Sequence, residues 1–231
     1  MSASDLTPGL PSRSAATPSM SGGLQKSHSL LSLRQRPRKP GEASFFFFDH
    51  HFQSDAVKVL PGEYFVADSN ILIMTVLGSC IAACIWDSKA GVGGMNHFML
   101  PEGDSSDTSG RYGSYAMELL INEMIKLGAR KESMQAKVFG GGQVMAGFTT
   151  MNVGERNTQF VLDYLHMERI TVVSKDVLDI YPRKVVFFPT TGKAMVKKLA
   201  HAHPESLEST ERKGNAAHLA KSTAGGSVDL F

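Results

Sequence analysis

The chain has 231 residues, 42% of them hydrophobic, and a formal net charge of +2. That charge is too small to mark a nucleic-acid partner, and no uninterrupted apolar run approaches the ~20 residues that cross a bilayer, so membrane insertion is not expected. The two cysteines make no disulfide framework: Cys80 and Cys84 on one strand would stand about 13 Å apart at ~3.3 Å per residue, and free thiols suit a reducing cytoplasm.

Residues 1–44 read as a disordered arm, basic, rich in Ser and Pro, and without an apolar period in Arg34-Gln35-Arg36-Pro37-Arg38-Lys39-Pro40. Its prolines oppose the amphipathic helix of a transit peptide, and Leu30, Leu31 and Leu33 are too few for a secretory apolar region. Phe45-Phe46-Phe47-Phe48 reads as a segment tucked against the domain edge, with a docking patch as the sharper alternative. Short strands are expected at 57–59, 64–66 and 71–76, then a hairpin through Asp87-Ser88-Lys89-Ala90-Gly91. Residues 114–127 read as a helix with a Met117, Leu120, Ile121, Met124 stripe and Gly128 as its stop. A strand at 136–139 and a helix at 155–166, carrying Thr158, Val161, Leu162 and Leu165 on one side, follow. Strands at 170–173, 184–188 and 194–198 complete the domain, the last two joined through Pro189-Thr190-Thr191-Gly192. Hairpins outnumber crossovers, so the expected class is α+β, a sandwich of mostly antiparallel sheets flanked by helices. The domain then spans 45–200, and 201–231 reads as a disordered tail.

The chemistry concentrates on Gly78-Ser79-Cys80 and on His97 in Gly93-Gly94-Met95-Asn96-His97. A thiol is a strong nucleophile but is little ionised near neutral pH without a base beside it, and histidine is the usual base. If Trp86 faces Gly91 across a four-residue loop, Cys80 stands directly opposite His97 on the same face, with β-carbons roughly 4.5–5.5 Å apart. A slip of one residue sends His97 to the other face and leaves no dyad.

Leu77-Gly78-Ser79-Cys80-Ile81-Ala82-Ala83-Cys84 and His97-Phe98-Met99-Leu100-Pro101 resemble the chemoreceptor glutamine deamidase family CheD. Phe139-Gly140-Gly141-Gly142, Asn152-Val153-Gly154-Glu155-Arg156-Asn157 and Thr191-Gly192-Lys193 extend the likeness in order across residues 57–199. The resemblance implies a CheD-like sandwich that hydrolyses receptor glutamine amides to glutamate in bacterial chemotaxis, with a Cys–His pair and an orienting threonine. Six positions before the cysteine, where the family pattern places that threonine, this chain has Met74; Thr75 is one position closer. On an uninterrupted strand those two positions face opposite ways, so Thr75 serves only if the phase shifts; otherwise a backbone carbonyl or water orients His97. The Gly-Gly that the pattern expects before the last hairpin is replaced by Leu178-Asp179.

The expected reaction is acyl transfer through a Cys80 thioester, with His97 moving the proton and Gly78 and Ser79 supporting the oxyanion. No metal or organic cofactor is required. The resemblance names methyl-accepting chemotaxis receptors as substrate and, in some species, a CheC-type phosphatase as a partner, all in the cytoplasm. A receptor- or CheC-binding adaptor is the alternative class, and a peptidase or transglutaminase-like cysteine enzyme a more distant one. Gly140-Gly141-Gly142 lacks the Lys-Ser or Lys-Thr of a phosphate loop and reads instead as a tight turn beside the site. His50-His51 and His201-Ala202-His203 are weak metal patterns, Cys84 reads as a small buried hydrophobe, and Arg156 and Asn157 read as helix-start or loop-holding residues.

Overall fold

Runs rich in β-branched and aromatic residues, such as LIMTVL and RKVVFF, favour pleated strands, and strands dominate the observed architecture. The computed structural model describes residues 30–99, 113–144 and 153–199. Residues 1–29, Leu100, Pro101, Asn152, His201, His203 and the 201–231 tail lie outside the described residues.

One sheet runs β1(Phe45–Asp49), β2(Ser54–Lys58), β4(Leu72–Leu77), β9(Arg183–Phe188), β10(Lys193–Lys198) in spatial order. The second runs β3(Tyr64–Ala67), β6(Val92–Asn96), β5(Ile81–Asp87), β7(Met134–Gly140), β8(Thr171–Val177). Among the described strands only β2 with β4 and β7 with β8 pair in parallel, so the expected α+β sandwich of mostly antiparallel sheets is what forms. Helices α2(Gly113–Lys126) and α3(Val153–Met167) lie on the second sheet, α2 over β3 and β6 and α3 over β5, β7 and β8.

Strand β5 is buried along its whole length, which is why it is apolar at both parities rather than alternating. Ala82, Cys84 and Trp86 face the first sheet, meeting Ile73, Leu77, Val185 and Phe187. Ile81, Ala83 and Ile85 face the helices, meeting Met117, Leu120, Val161 and Leu165. Ala56, Leu72, Met74 and Val186 point the other way from the first sheet, where no described helix packs.

Part of the basic stretch packs on the domain. Helix α1(Leu30–Gln35) buries Leu33 in the inter-sheet core, Arg34 donates to Phe46 O at 2.7 Å, and Arg38 lies 4.4 Å over the Phe46 ring. The four-phenylalanine run is the edge strand β1, with Phe46 buried and Phe45 and Phe48 exposed. His50 and His51 are exposed at the β1–β2 turn. Leu178 (φ 63°) and Asp179 (φ 69°) adopt the left-handed conformation that glycines would take without cost. Arg183, fully buried, holds that loop by donating to Leu178 O at 2.6 Å and Tyr181 O at 2.9 Å and by pairing with Asp176 at 2.9 Å. No described helix is long and apolar enough to cross a membrane.

Candidate active site

The chain passes from the middle strand of one sheet to the middle strand of the other in three residues, Gly78-Ser79-Cys80, between β4 and β5. This crossing is anchored by its carbonyls. Gly142 N donates to Gly78 O at 2.8 Å, Gly141 N donates to Cys80 O at 2.8 Å, and Asn157 Nδ2 donates to Ser79 O at 3.2 Å. Only glycine allows that approach at Gly140: its φ is +111°, and a β-carbon there would stand 2.1 Å from Cys80 O. Three successive peptide planes are thereby fixed. Because the N–H of a trans peptide opposes its C=O, the Ser79 and Cys80 amides are directed away from these anchors.

The hairpin that carries His97 is two residues out of the expected register. Asp87 pairs with Val92 and Trp86 with Gly93, and Ile81 bridges Phe98, so Ala82 rather than Cys80 stands opposite His97. The reason lies in Asp87, a charged residue that the sequence reading assigns to the loop. It continues the strand with its carboxylate buried, accepting from Lys89 N, Ala90 N, Arg130 N and the Ser133 hydroxyl. Burial alone would raise its pKa, but these donors together hold it below the usual carboxylate value. The loop is therefore 88–91, closed by Gly91 N on Asp87 O at 2.9 Å. A two-residue shift preserves the face: Cys80 and His97 still project into the inter-sheet layer as diagonal neighbours, with β-carbons somewhat under ~7–8 Å apart. Both are 2% exposed.

Thr75 meets His97 without any bulge. Strand β4 pairs regularly with β9 from Ile73–Phe187 to Leu77–Arg183, and Ile73 and Leu77 point into the inter-sheet core, so Thr75 does too. Met74 faces outward with Leu72 and Val186. The expectation of a phase shift treated β4 and the cysteine as one strand, whereas the chain changes sheets between them. Thr75 Oγ1 donates to Val59 O at 2.8 Å and lies 2.9 Å from His97 Nδ1. A carbonyl only accepts, so the single hydroxyl proton goes to Val59 and the oxygen receives the Nδ1 proton. His97 is thus held as the Nδ1–H tautomer, leaving Nε2 with a lone pair, and Nε2 is buried with no hydrogen-bond partner. Desolvation drives the imidazole pKa from 6.5 down to about 4; the Val59 carbonyl opposes this and the Lys58 charge adds to it. At neutral pH the ring is an uncharged base.

Asn157 holds a loop, one of the two roles read for it from the sequence. It is fully buried on α3, and its Nδ2 bridges Ser79 O and, at 2.9 Å, Met99 O, tying the cysteine crossing to the segment after His97. Its place in the Asn152–Asn157 string was the available signal, but no local rule places residue 157 beside residue 79. Helix α3 comes this near because Gly154 lies against Gly141, whose carbonyl oxygen would be 2.3 Å from a β-carbon. Cys84 lies on the same face of β5 two positions beyond Ala82, fully buried, and burial pushes its thiol pKa up, which makes it an inert core residue. Among the described residues no group of three or more His, Cys, Asp or Glu side chains could hold a metal.

Comparison with known proteins adds an independent line. Residues 99–198 match the family described as CheD chemotactic sensory transduction. The chain is 75% identical over 199 residues to the probable chemoreceptor glutamine deamidase CheD 1 of Albidiferax ferrireducens, covering 86% of this chain and 85% of that one. It is 52% identical over 195 residues to the probable chemoreceptor glutamine deamidase CheD of Methylobacillus flagellatus, covering 82% and 96%. A protein of the same description from Thiobacillus denitrificans is 52% identical over 194 residues, covering 82% and 96%.

Proposed function

We propose, from the premise that the chain belongs to the CheD family, that it hydrolyses glutamine side-chain amides of chemoreceptors to glutamate, with Cys80 as nucleophile, His97 as base and Thr75 as the residue that orients it. The observation that carries the catalytic reading is the Val59–Thr75–His97 relay, which leaves one unpartnered basic nitrogen in the layer that also holds the Cys80 side chain.

The steps follow from that arrangement. His97 Nε2 takes the thiol proton as Cys80 Sγ attacks the amide carbon, forming a tetrahedral oxyanion. The N–H groups of Ser79 and Cys80, in the crossing that follows Gly78, would receive that oxygen. A preorganised donor of this kind is typically worth ~3–4 kcal/mol in the transition state. The imidazolium then protonates the departing nitrogen, ammonia leaves, and the thioester remains. His97 next removes a proton from water, which attacks the thioester, and collapse of the second oxyanion returns the thiol and frees glutamate. Ser79 is the partly exposed residue of the crossing, so the substrate side chain enters over it. No step calls on a metal or organic group.

The direct test is mass spectrometry of purified receptor cytoplasmic domains incubated with the protein, with ammonia measured in parallel. The expected result is stoichiometric ammonia and the amide-to-acid increment on specific glutamines; neither appearing would end this reading. Thr75→Val removes the acceptor for Nδ1–H, a loss of about 1–3 kcal/mol, so kcat should fall about 10- to 100-fold while Thr75→Ser retains most of it. Asn157→Ala leaves two part-buried carbonyls without their donor, at about 1–3 kcal/mol. It should lower kcat by about tenfold with little change in KM, measured well below its melting temperature. Residues 45–200 form the deamidase domain in this reading, between an arm and a tail, in the cytoplasm. A CheC-type phosphatase as a further partner is supported by the family resemblance alone.

A further inference from the structure

The outward face of the first sheet has an unusual composition. Strand pairing puts Phe45, Phe47, Ala56, Lys58, Leu72, Met74, Val76, Lys184, Val186, Phe188, Lys193, Met195 and Lys197 on it. The sheet's opposite face is already packed against the other sheet, and no described helix covers this one. Met195 is 42% and Phe45 56% exposed on the two edge strands, and between them the Leu72–Met74–Val186 floor is buried beneath Phe47, Phe52 and Phe188. Lysines outnumber acids on it. Lys58, Lys184, Lys193 and Lys197 project there, Lys193 lying 5.4 Å over the Phe188 ring. The acid on the face is Asp49, whose carboxylate is spent on His51 N and Phe52 N in the β1–β2 turn.

The placement matters as much as the charge. Val76, Lys184 and Lys197 form one row across β4, β9 and β10. That row is at the end of β4 from which the chain enters Gly78-Ser79-Cys80. The row therefore lies beside the sheet end from which the crossing starts, while the Cys80 side chain itself lies on the sheet's inner side.

We propose that the lysine-rich β9–β10 side of this face docks an acidic surface of the protein substrate, holding the receptor while a glutamine enters at Cys80. The inference rests on the deamidase reading for the identity of the partner, while the surface itself rests on the sheet's composition. A second copy of this chain fits poorly, because self-apposition sets lysines against lysines. Each turnover replaces a neutral amide with a carboxylate, so a receptor becomes more complementary to the face as it is processed.

The test uses the full chain carrying Lys184→Glu, Lys193→Glu and Lys197→Glu together, with a Lys→Gln triple as a milder variant should the first lose its folded circular dichroism signal. Binding to a receptor cytoplasmic domain is measured in a Cys80→Ala background, so no turnover is needed, and kinetics are measured with the thiol present. The Glu triple should weaken binding and raise KM for the receptor domain by about tenfold or more, and flatten the salt dependence of binding. Its kcat/KM on a short glutaminyl peptide should stay within about twofold of wild type. The Gln triple should show the same loss, smaller in size. Unchanged receptor binding in both triples overturns the proposal, as does absence of wild-type binding. So does a loss confined to phosphatidylserine vesicles or to self-association in sedimentation. If wild type binds the receptor domain, the triples lose that binding, and no ammonia is released, the deamidase reading falls and the docking surface stands.

Discussion

Cys80→Ala should reduce ammonia release from receptor domains by at least about a thousandfold, since removing a nucleophile removes the covalent route and leaves only the binding and oxyanion contributions. The side chain is small and 2% exposed, and Ala82 and Ala83 are neighbours already accommodated at zero exposure. The variant should therefore keep the wild-type circular dichroism spectrum and a cooperative melt. Retained release would remove Cys80 from the chemistry. Cys84→Ala is the matched control: its thiol is buried with its pKa raised, and activity should persist.

His97→Gln should cost about 10²- to 10⁴-fold in kcat, the usual worth of a positioned general base. An amide at this place keeps a polar group near Thr75 but takes no proton. The wild-type pH profile carries the same test further. In the proposed mechanism neutral His97 is the active form, and its pKa is depressed from 6.5 to about 4, so the acid limb of kcat/KM should fall near pH 4. A limb near 6.5 would mean that the imidazole is solvated and that the buried relay does not form. The stability consequence has a definite sign. The unfolded chain takes up the His97 proton near 6.5 while the native chain resists until about 4. The contribution of this residue is then fully present above 6.5 and declines as pH falls across that interval. Urea midpoints of wild type and His97→Gln, compared at pH 7 and pH 5, isolate the term.

What could be read from the sequence was local pattern. The 114–127 helix followed from its apolar stripe and Gly128, and the final hairpin from its turn residues. The shared face of Cys80 and His97 followed from strand alternation, which survives a shift of two. The error in register came from treating Asp87 as a loop residue on account of its charge. Its donors Arg130 and Ser133 are more than forty positions away, and nothing near Asp87 announces them. Thr75 was among the candidates, but the bulge thought necessary to bring it to His97 was not needed, for a related reason. Alternation is a property of one strand, and the chain leaves β4 for the other sheet at Gly78-Ser79, so counting back from Cys80 carried the wrong phase. Asn157 and Arg183 act through contacts that only the packing of α3 and of the β8–β9 loop creates. Leu178 and Asp179 show the converse: the backbone shape expected of two glycines persists without them, because Arg183 holds the loop from beneath.

The bond between Thr75 and His97 joins one sheet to the other, so the direction in which the imidazole offers its lone pair depends on the spacing of two layers. Secondary structure alone cannot preserve it. A swollen, loosely packed state that kept every strand ladder would let the ring rotate and exchange tautomers. If the proposed relay carries the reaction, activity depends on close packing and should disappear before the β-content does.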